Sequence, residues 1–475
     1  MRRQLIFLMV LLTLLSGFTV ALTKAAYAET RVSAISSVPQ KCVNPNGTTT
    51  LQGTLGGANY TIQVPSNWNG TLALYSHGYV FANQPLDNPA PDVGDPLTGA
   101  ALLQSGYALA GSSYSQNGWA LQQAFHDQIA LLDFFNTTCG HPTRTIAWGH
   151  SLGGIITAGL VQLNPDRFVG ALPMCGVLAG GIGTWNQALD SAFAFNVLLA
   201  NNALQIVHIT DPNGNFTQAE SILTAAQGTA QGKARIALLT ALGDIPGWFD
   251  PASPEPSKTD YATQEVNQYD WESQVDFIFA FFARAELEAR ANGNPSWNTG
   301  VDYRDQLAKS VDNREVQALY KQAGLNLDAD LNTLNHSTRI KADPQAVNYL
   351  NKYITFNGDL NMPVLTMHTT GDGLVVNEQE QAYDDVVDWR GDASLLNQVF
   401  VHRAGHCTFT PAETVTAFQT LIHRLDTGTW GSSTNPRRMN NEALALGSTL
   451  NTAPPAFINF DAAEFLRPFD VRNRV

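Results

Sequence analysis

The stretch Gly149-His150-Ser151-Leu152-Gly153-Gly154 constrains this chain more than any other. The apolar run Thr145-Ile146-Ala147-Trp148 precedes it and the helix-like Ile155-Ile156-Thr157-Ala158-Gly159-Leu160 follows. A strand must therefore turn into a helix around one serine. That serine takes backbone angles that side-chain-bearing residues seldom adopt, and the glycines two before and two after remove side chains that would collide there. Its hydroxyl is held outward, as a nucleophile requires. A bare Gly-x-Ser-x-Gly match means little in a chain with 38 glycines; the flanking strand and helix set this one apart.

The pattern around the turn repeats. Segments 51–55, 59–64 and 71–75 read as strands separated by Gly-Gly and by Pro65 to Gly70, the start of a β-meander entering a larger sheet. Helix-like and strand-like segments then alternate: helix 97–105, strand 107–111, amphipathic helix 120–135, strand 145–148, the helix after Ser151, and strand 169–175. Such alternation predicts an α/β chain with a mostly parallel sheet and helices on both faces. Between Gly176 and Gly358 the strands stop, and helices are expected over 189–201, 218–227, 233–242, 269–291, 314–323 and 344–353. Strand 364–368, helix 378–389, strand 398–402 and helix 413–425 resume the pattern. The organisation read from this is a leader over 1–28, a core from 29–176 and 359–427, a helical cap insertion over 177–358 and an extension over 428–475. Rich in Asn, Ser, Thr and Pro, the extension is expected to pack irregularly or to be partly disordered.

The leader rests on three features: Arg2 and Arg3, an apolar core from Leu5 to Leu22, and the small-x-small site Ala26-Tyr27-Ala28. A mature chain starting near Glu29 and exported from the cell is expected, with a membrane anchor as the alternative reading and no span in the mature chain. Removing Arg2, Arg3 and Lys24 leaves 24 basic against 41 acidic residues. A surface so acidic argues against nucleic acid or anionic membranes as partners, since both need clustered Lys and Arg. Four cysteines follow the leader, an even number suited to two disulfides. Cys42 precedes the first strand and Cys139 precedes the strand leading to Ser151, whereas Cys175 ends a strand and Cys407 follows a histidine near the expected site. Pairing Cys42 with Cys139 and Cys175 with Cys407 is therefore expected. Zinc is the weaker reading, because no Cys-x-x-Cys spacing occurs.

Together the strand ending in His77-Gly78, the turn at Ser151, Thr370-Gly371-Asp372-Gly373 after a strand, and Ala404-Gly405-His406 resemble the α/β-hydrolase superfamily over about residues 51–425. They fall in the order nucleophile, acid, base. The export signal, large cap and disulfides resemble bacterial extracellular esterases and serine aminopeptidases of that superfamily. No metal or organic cofactor is implied.

Chemistry points to the same residues. A serine hydroxyl is a weak nucleophile and needs a base within hydrogen-bond reach, itself oriented by a third group. His406, in a glycine-bearing loop after the last strand, is the expected base, with His402 as the alternative; Asp372 is the expected acid, with Glu378 and Glu380 as runners-up. An oxyanion needs fixed donors, best supplied by backbone amides. One is expected from Leu152, and the resemblance implies Tyr79 for the other. His77, Ser115 and Trp119 are candidates for the substrate rim. Specificity is expected from the insertion, where Phe277, Phe281 and Arg284 share a helical face that reads as cap core. Glu272, Asp276 and Glu286 are the carboxylates that could hold a substrate ammonium group. The expected activity is cleavage of small-molecule carboxylic esters through an acyl-enzyme. A peptidase acting on short peptides is the alternative, and a non-catalytic binding protein on the same fold is the third reading.

Overall fold

A computed structural model describes residues 41–473. The leader over 1–28 and the mature start near Glu29 lie outside the described residues. Nine strands form one sheet in the order β1-β2-β4-β3-β5-β6-β7-β8-β9. These are β1 Thr49–Leu55, β2 Ala58–Val64, β3 Thr71–Ser76, β4 Ala108–Ser112, β5 Arg144–His150, β6 Gly170–Met174, β7 Val364–Gly371, β8 Leu396–Ala404 and β9 Phe457–Ile458. Neighbours from β4 through β3 to β8 run parallel, while β1, β2 and β9 are antiparallel additions at the two edges. β3 and β6 are buried at every position. Their uninterrupted burial is the signature of a sheet covered on both faces.

The helices that cover it are α1 Pro96–Gln104, α2 Leu121–Thr138, α3 Leu152–Leu163, and, later in the chain, Glu378–Arg390 and Pro411–Thr427. Local chemistry starts them where they start. Asp95 caps α1 through the amide of Thr98 ahead of Pro96, and Thr410 with Glu413 forms a capping box on the helix Pro411–Thr427. One face packs Leu131, Ile155 and Ile156 against the sheet; the other packs Trp148 against Phe418 and Leu421.

Between β6 and β7 the regular elements are all helices, joined by loops, as the sequence pattern predicts. They include α4 Gly180–Leu198, α5 Pro212–Gln227, α6 Ala230–Leu242, α7 Tyr261–Trp271, α8 Arg284–Ala291, α9 Tyr303–Lys309, α10 Asn313–Ala323, α11 Leu327–His336 and α12 Pro344–Lys352. Helices α9 and α11 were not expected from the sequence, since both are short and heavily polar. α7 runs on into α8 through π-helical turns at Glu272–Asp276 and Phe279–Ala283. The block has its own apolar centre, built from Phe193, Phe195, Leu238, Leu239 and Tyr320.

The extension is packed irregularly over most of its length, as expected, but it also carries regular elements and buried anchors that its composition does not announce. Residues 436–445 form a helix, β9 pairs with β8, and Phe465 is wholly buried. Arg467 ion-pairs with buried Asp190 of α4. A few apolar residues (Met439, Ala443, Phe457, Phe465) are spaced widely among polar ones, so the composition hides them while each still finds a pocket. Both expected disulfides are present, Cys42–Cys139 and Cys175–Cys407. Among the described residues no helix is long and apolar enough to cross a membrane.

Candidate active site

Ser151 stands between β5 and α3 with φ +58° and ψ −123°. Its amide donates to the carbonyl of Met174 on neighbouring β6. The glycines around it are required by close approach: a Cβ at Gly153 would lie 2.0 Å from the carbonyl oxygen of Ser76, and one at Gly149 would lie 2.4 Å from the same atom. β5 and α3 can therefore press against the end of β3, which fixes the turn at the edge where the parallel strands end.

Asp372 and His406 reach the same edge from β7 and β8. The pairing of these strands shifts register between Thr369 and Gly371, and such an irregularity re-aims the residue that follows. Gly405 then donates its amide to the carbonyl of Gly371, and the hydroxyl of Thr369 donates to the carbonyl of Gly405, so the Asp372 turn and the His406 loop are clamped together. His406 Nδ1 lies 2.7 Å from Asp372 Oδ2, and Nε2 lies 2.8 Å from Ser151 Oγ. The other Asp372 oxygen accepts from the amides of Leu374 and Val375. Burial alone would raise the Asp372 carboxyl, but the charge of His406 and hydrogen bonds from His368 and His406 hold it below its ordinary value. An ionised Asp372 accepts the Nδ1 proton, which leaves the Nε2 lone pair facing the serine hydroxyl.

The alternatives fall elsewhere. His402 is exposed, beside Trp248 and Glu255. Glu380 is buried against His368, a pairing that sequence reasoning missed because nothing in a strand histidine announces its partner. Glu378 is buried at the start of the helix Glu378–Arg390, its carboxyl pushed up to about 8 chiefly by burial. His150 is half-buried with Nδ1 3.2 Å from the Tyr75 hydroxyl, and desolvation followed by the charge of His406 lowers it to about 4.

A cleft with about 1000 Å³ of empty space, partly open to solvent, stands over Ser151. Tyr79, Trp119, Ser151 and Leu152 line it from the core, and Trp185, Phe195, Glu272, Asp276, Phe277, Phe279 and Phe281 from the helical block. Phe277 and Phe281 thus serve as both block core and cleft wall, while Arg284 is buried behind them against Trp185. Glu286 is spent elsewhere, on the Trp119 amide and Arg290. Glu272 accepts from Ser191 and is raised to about 7 by burial. Asp276 is raised well above its ordinary range by burial and by the charges of Glu272 and Asp372.

Of the three candidates for the substrate rim, Trp119 lines the cleft. His77 is buried beneath it, stacked on Tyr114, and Ser115 lies beside Gly57 at the β1–β2 turn and does not line it. The loop after β3 does pass the serine, since a Cβ at Gly78 would lie 3.4 Å from that of Ser151. Leu152 opens α3, where the first amides of a helix have no helical acceptor. Cys407 Sγ is 3.3 Å from His406 Nε2, so the bridge to Cys175 ties the His406 loop to the end of β6.

The sheet order, with a serine turn between strand and helix, defines the class: the chain belongs to the α/β-hydrolase superfamily and is a hydrolase. It is 30% identical over 430 residues to o-phthalyl amidase of Xanthobacter agilis, a match that covers 83% of this chain and 90% of that enzyme. No family model matches the chain. Solved structures similar to it include the rice cell wall degrading esterase LipA of Xanthomonas oryzae, 13% identical with a TM-score of 0.36 over 80% of this chain and 89% of that one. Another is the acylaminoacyl peptidase of Pyrococcus horikoshii, 10% identical with a TM-score of 0.34 over 88% of this chain and 44% of that one. Likeness this slight carries no argument.

Proposed function

We propose that the protein is an exported serine hydrolase that cleaves carboxylic esters through an acyl-enzyme. The observation that carries this reading is the chain Ser151 Oγ, His406, Asp372, with separations of 2.8 and 2.7 Å at the floor of an apolar cleft. Ser151 attacks the acyl carbon while His406 takes its proton at Nε2. Asp372 stabilises the imidazolium that forms, and His406 then returns the proton to the leaving oxygen. Water, activated by the same imidazole, releases the acid. The tetrahedral oxyanion is received by the amides of Leu152 and Tyr79, fixed before the reaction by α3 and by the loop that passes Ser151 at Gly78. The helical block, acting as a cap, selects the acyl and leaving groups with its aromatic wall. The two disulfides suit an oxidising compartment, which supports export.

Amide cleavage is the second reading, favoured by the 30% identity to an o-phthalyl amidase. The same groups serve it, with His406 protonating a departing nitrogen instead of an oxygen.

The test is labelling by a fluorophosphonate, followed by turnover of short-chain aryl esters, phthalyl amides and aminoacyl anilides. Labelling is expected on Ser151 alone and is abolished by Ser151→Ala. Asp372→Asn is expected to stay folded and to lose about 10⁴-fold in kcat. An unlabelled native protein overturns the serine mechanism, and amide turnover well above ester turnover replaces the first reading with the second.

A further inference from the structure

Behind the acid lies a second charged pair. His368, on β7 four residues before Asp372, is wholly buried. Its Nε2 is 2.7 Å from the carbonyl oxygen of Val375 and 3.4 Å from Asp372 Oδ2, the oxygen that also faces His406 Nδ1. Its Nδ1 is 2.9 Å from Glu380 Oε1. A carbonyl can only accept, so Nε2 carries a proton. Glu380 Oε2 is taken up by donors, the Thr366 hydroxyl at 2.5 Å and the Gln398 amide at 2.8 Å, which leaves Oε1 as the oxygen placed to accept from Nδ1. An imidazole that donates from both nitrogens is an imidazolium. Burial alone would lower the His368 ring, but hydrogen bonds to Asp372 and Glu380 and the charges of both push it up to about 10.

We infer that His368, paired with Glu380, is a positioning residue for the reaction: a buried cation that holds Asp372 ionised with Oδ2 aimed at His406. The inference rests on Ser151, His406 and Asp372 acting as proposed above. Without the cation, a carboxyl with no exposure would tend to protonate, and a neutral acid cannot stabilise an imidazolium. A lone cation there would oppose the charge that His406 must acquire. Glu380 offsets it, so the pair presents its positive end to Asp372 with little net charge. Other ionisable groups facing this arrangement are Glu378, Tyr383 and Asp384 of the helix Glu378–Arg390, and Asp276 from the block. Burial holds Glu378 and Asp276 toward the neutral form, which leaves His368 as the cation that balances Asp372.

The pair is tested by the pH profile of kcat/KM for native protein, His368→Gln and Glu380→Gln. Removing the cation favours protonation of the base, so the acid limb of His368→Gln is expected to move up by about one pH unit, with kcat down about tenfold or more. Removing the anion leaves an uncompensated cation, so the limb of Glu380→Gln is expected to move down. A residue that only packs would lower kcat without displacing the limb; unmoved limbs, or limbs displaced in one direction by both variants, overturn the inference. Should either variant fail to fold, ¹⁵N-histidine spectra of the native protein decide. His368 must show the doubly protonated ring from about pH 5 to about pH 8.5, and a neutral ring in that range refutes it. Fluorophosphonate labelling of the native protein separates the two levels: no labelling removes the underlying mechanism, whereas labelling with unmoved limbs removes only the role of His368.

Discussion

Breaking the Cys175–Cys407 bridge should cost stability and reactivity together, whereas breaking Cys42–Cys139 should cost stability alone. The two bridges span sequence separations of 232 and 97 residues. Loop-closure entropy assigns them about 5.5 and about 4.7 kcal/mol at 25 °C, so in the unfolded chain they are nearly equivalent. They differ in the folded state. Cys175 and Cys407 have φ of +41° and +55°, and each such residue holds strain of about 1–2 kcal/mol. Cutting the bridge releases part of that strain, so the net loss for the Ser,Ser variant should be about 2–4 kcal/mol. Relaxation occurs next to His406, whose Nε2 must stay within hydrogen-bond reach of Ser151 Oγ. Cys139 instead follows α2, at the end of the sheet where β5 begins. The assay pairs calorimetry with the second-order rate of fluorophosphonate labelling. The Cys175→Ser, Cys407→Ser variant should label at least about tenfold more slowly, since small misplacements of a reacting group are costly. Cys42→Ser, Cys139→Ser should melt earlier but label within about twofold of native. Equal labelling by both variants would refute the claim that the bridge at Cys407 fixes the base.

Three further outcomes follow from contacts described above. Gly153→Ala places a Cβ 2.0 Å from the Ser76 carbonyl; it should lose on the order of 4 kcal/mol and all labelling, measured by denaturant titration and probe. Arg467→Ala strands buried Asp190, which also accepts from Tyr303 and Gln306; a loss of about 3–5 kcal/mol is expected, and a Tm within error of native would show that the extension carries no stability. Glu378 is raised from 4.5 to about 8 in the fold. Between those values the unfolded chain releases the proton and the folded chain keeps it, so this group favours the fold most at low pH and its contribution falls as pH rises from about 4.5 to 8. Glu378→Gln should flatten the dependence of unfolding free energy on pH over that window.

Much of the site was legible in the sequence because it is carried by local rules. A glycine two residues before and after Ser151 is a steric demand of the turn, and Asp372 and His406 each sit directly after a strand, so chain order alone brings them to one edge. The same rules read helix 314–323 and strand 398–402 to within two residues at each boundary. They failed at α9, α11 and the helix and short strand of the extension, where short polar segments hold few apolar side chains. They also failed for Ser115, since a residue near the end of a strand can turn toward either side.

What the sequence by itself determined is the periodic part of this protein: an alternating sheet and helix pattern, a strained serine between glycines, and an aspartate and a histidine that follow strands in order behind it. Backbone sterics and hydrophobic periodicity act over a few residues, and a few residues suffice to read them. Only the tertiary structure decided which groups meet across long stretches of chain. It placed Glu380 against His368, turned Asp276 toward the cleft while Glu286 was taken by Trp119, and seated Arg467 on Asp190 across 277 residues. Each of these contacts joins residues far apart in the sequence. Such contacts arise from packing, which no local pattern encodes.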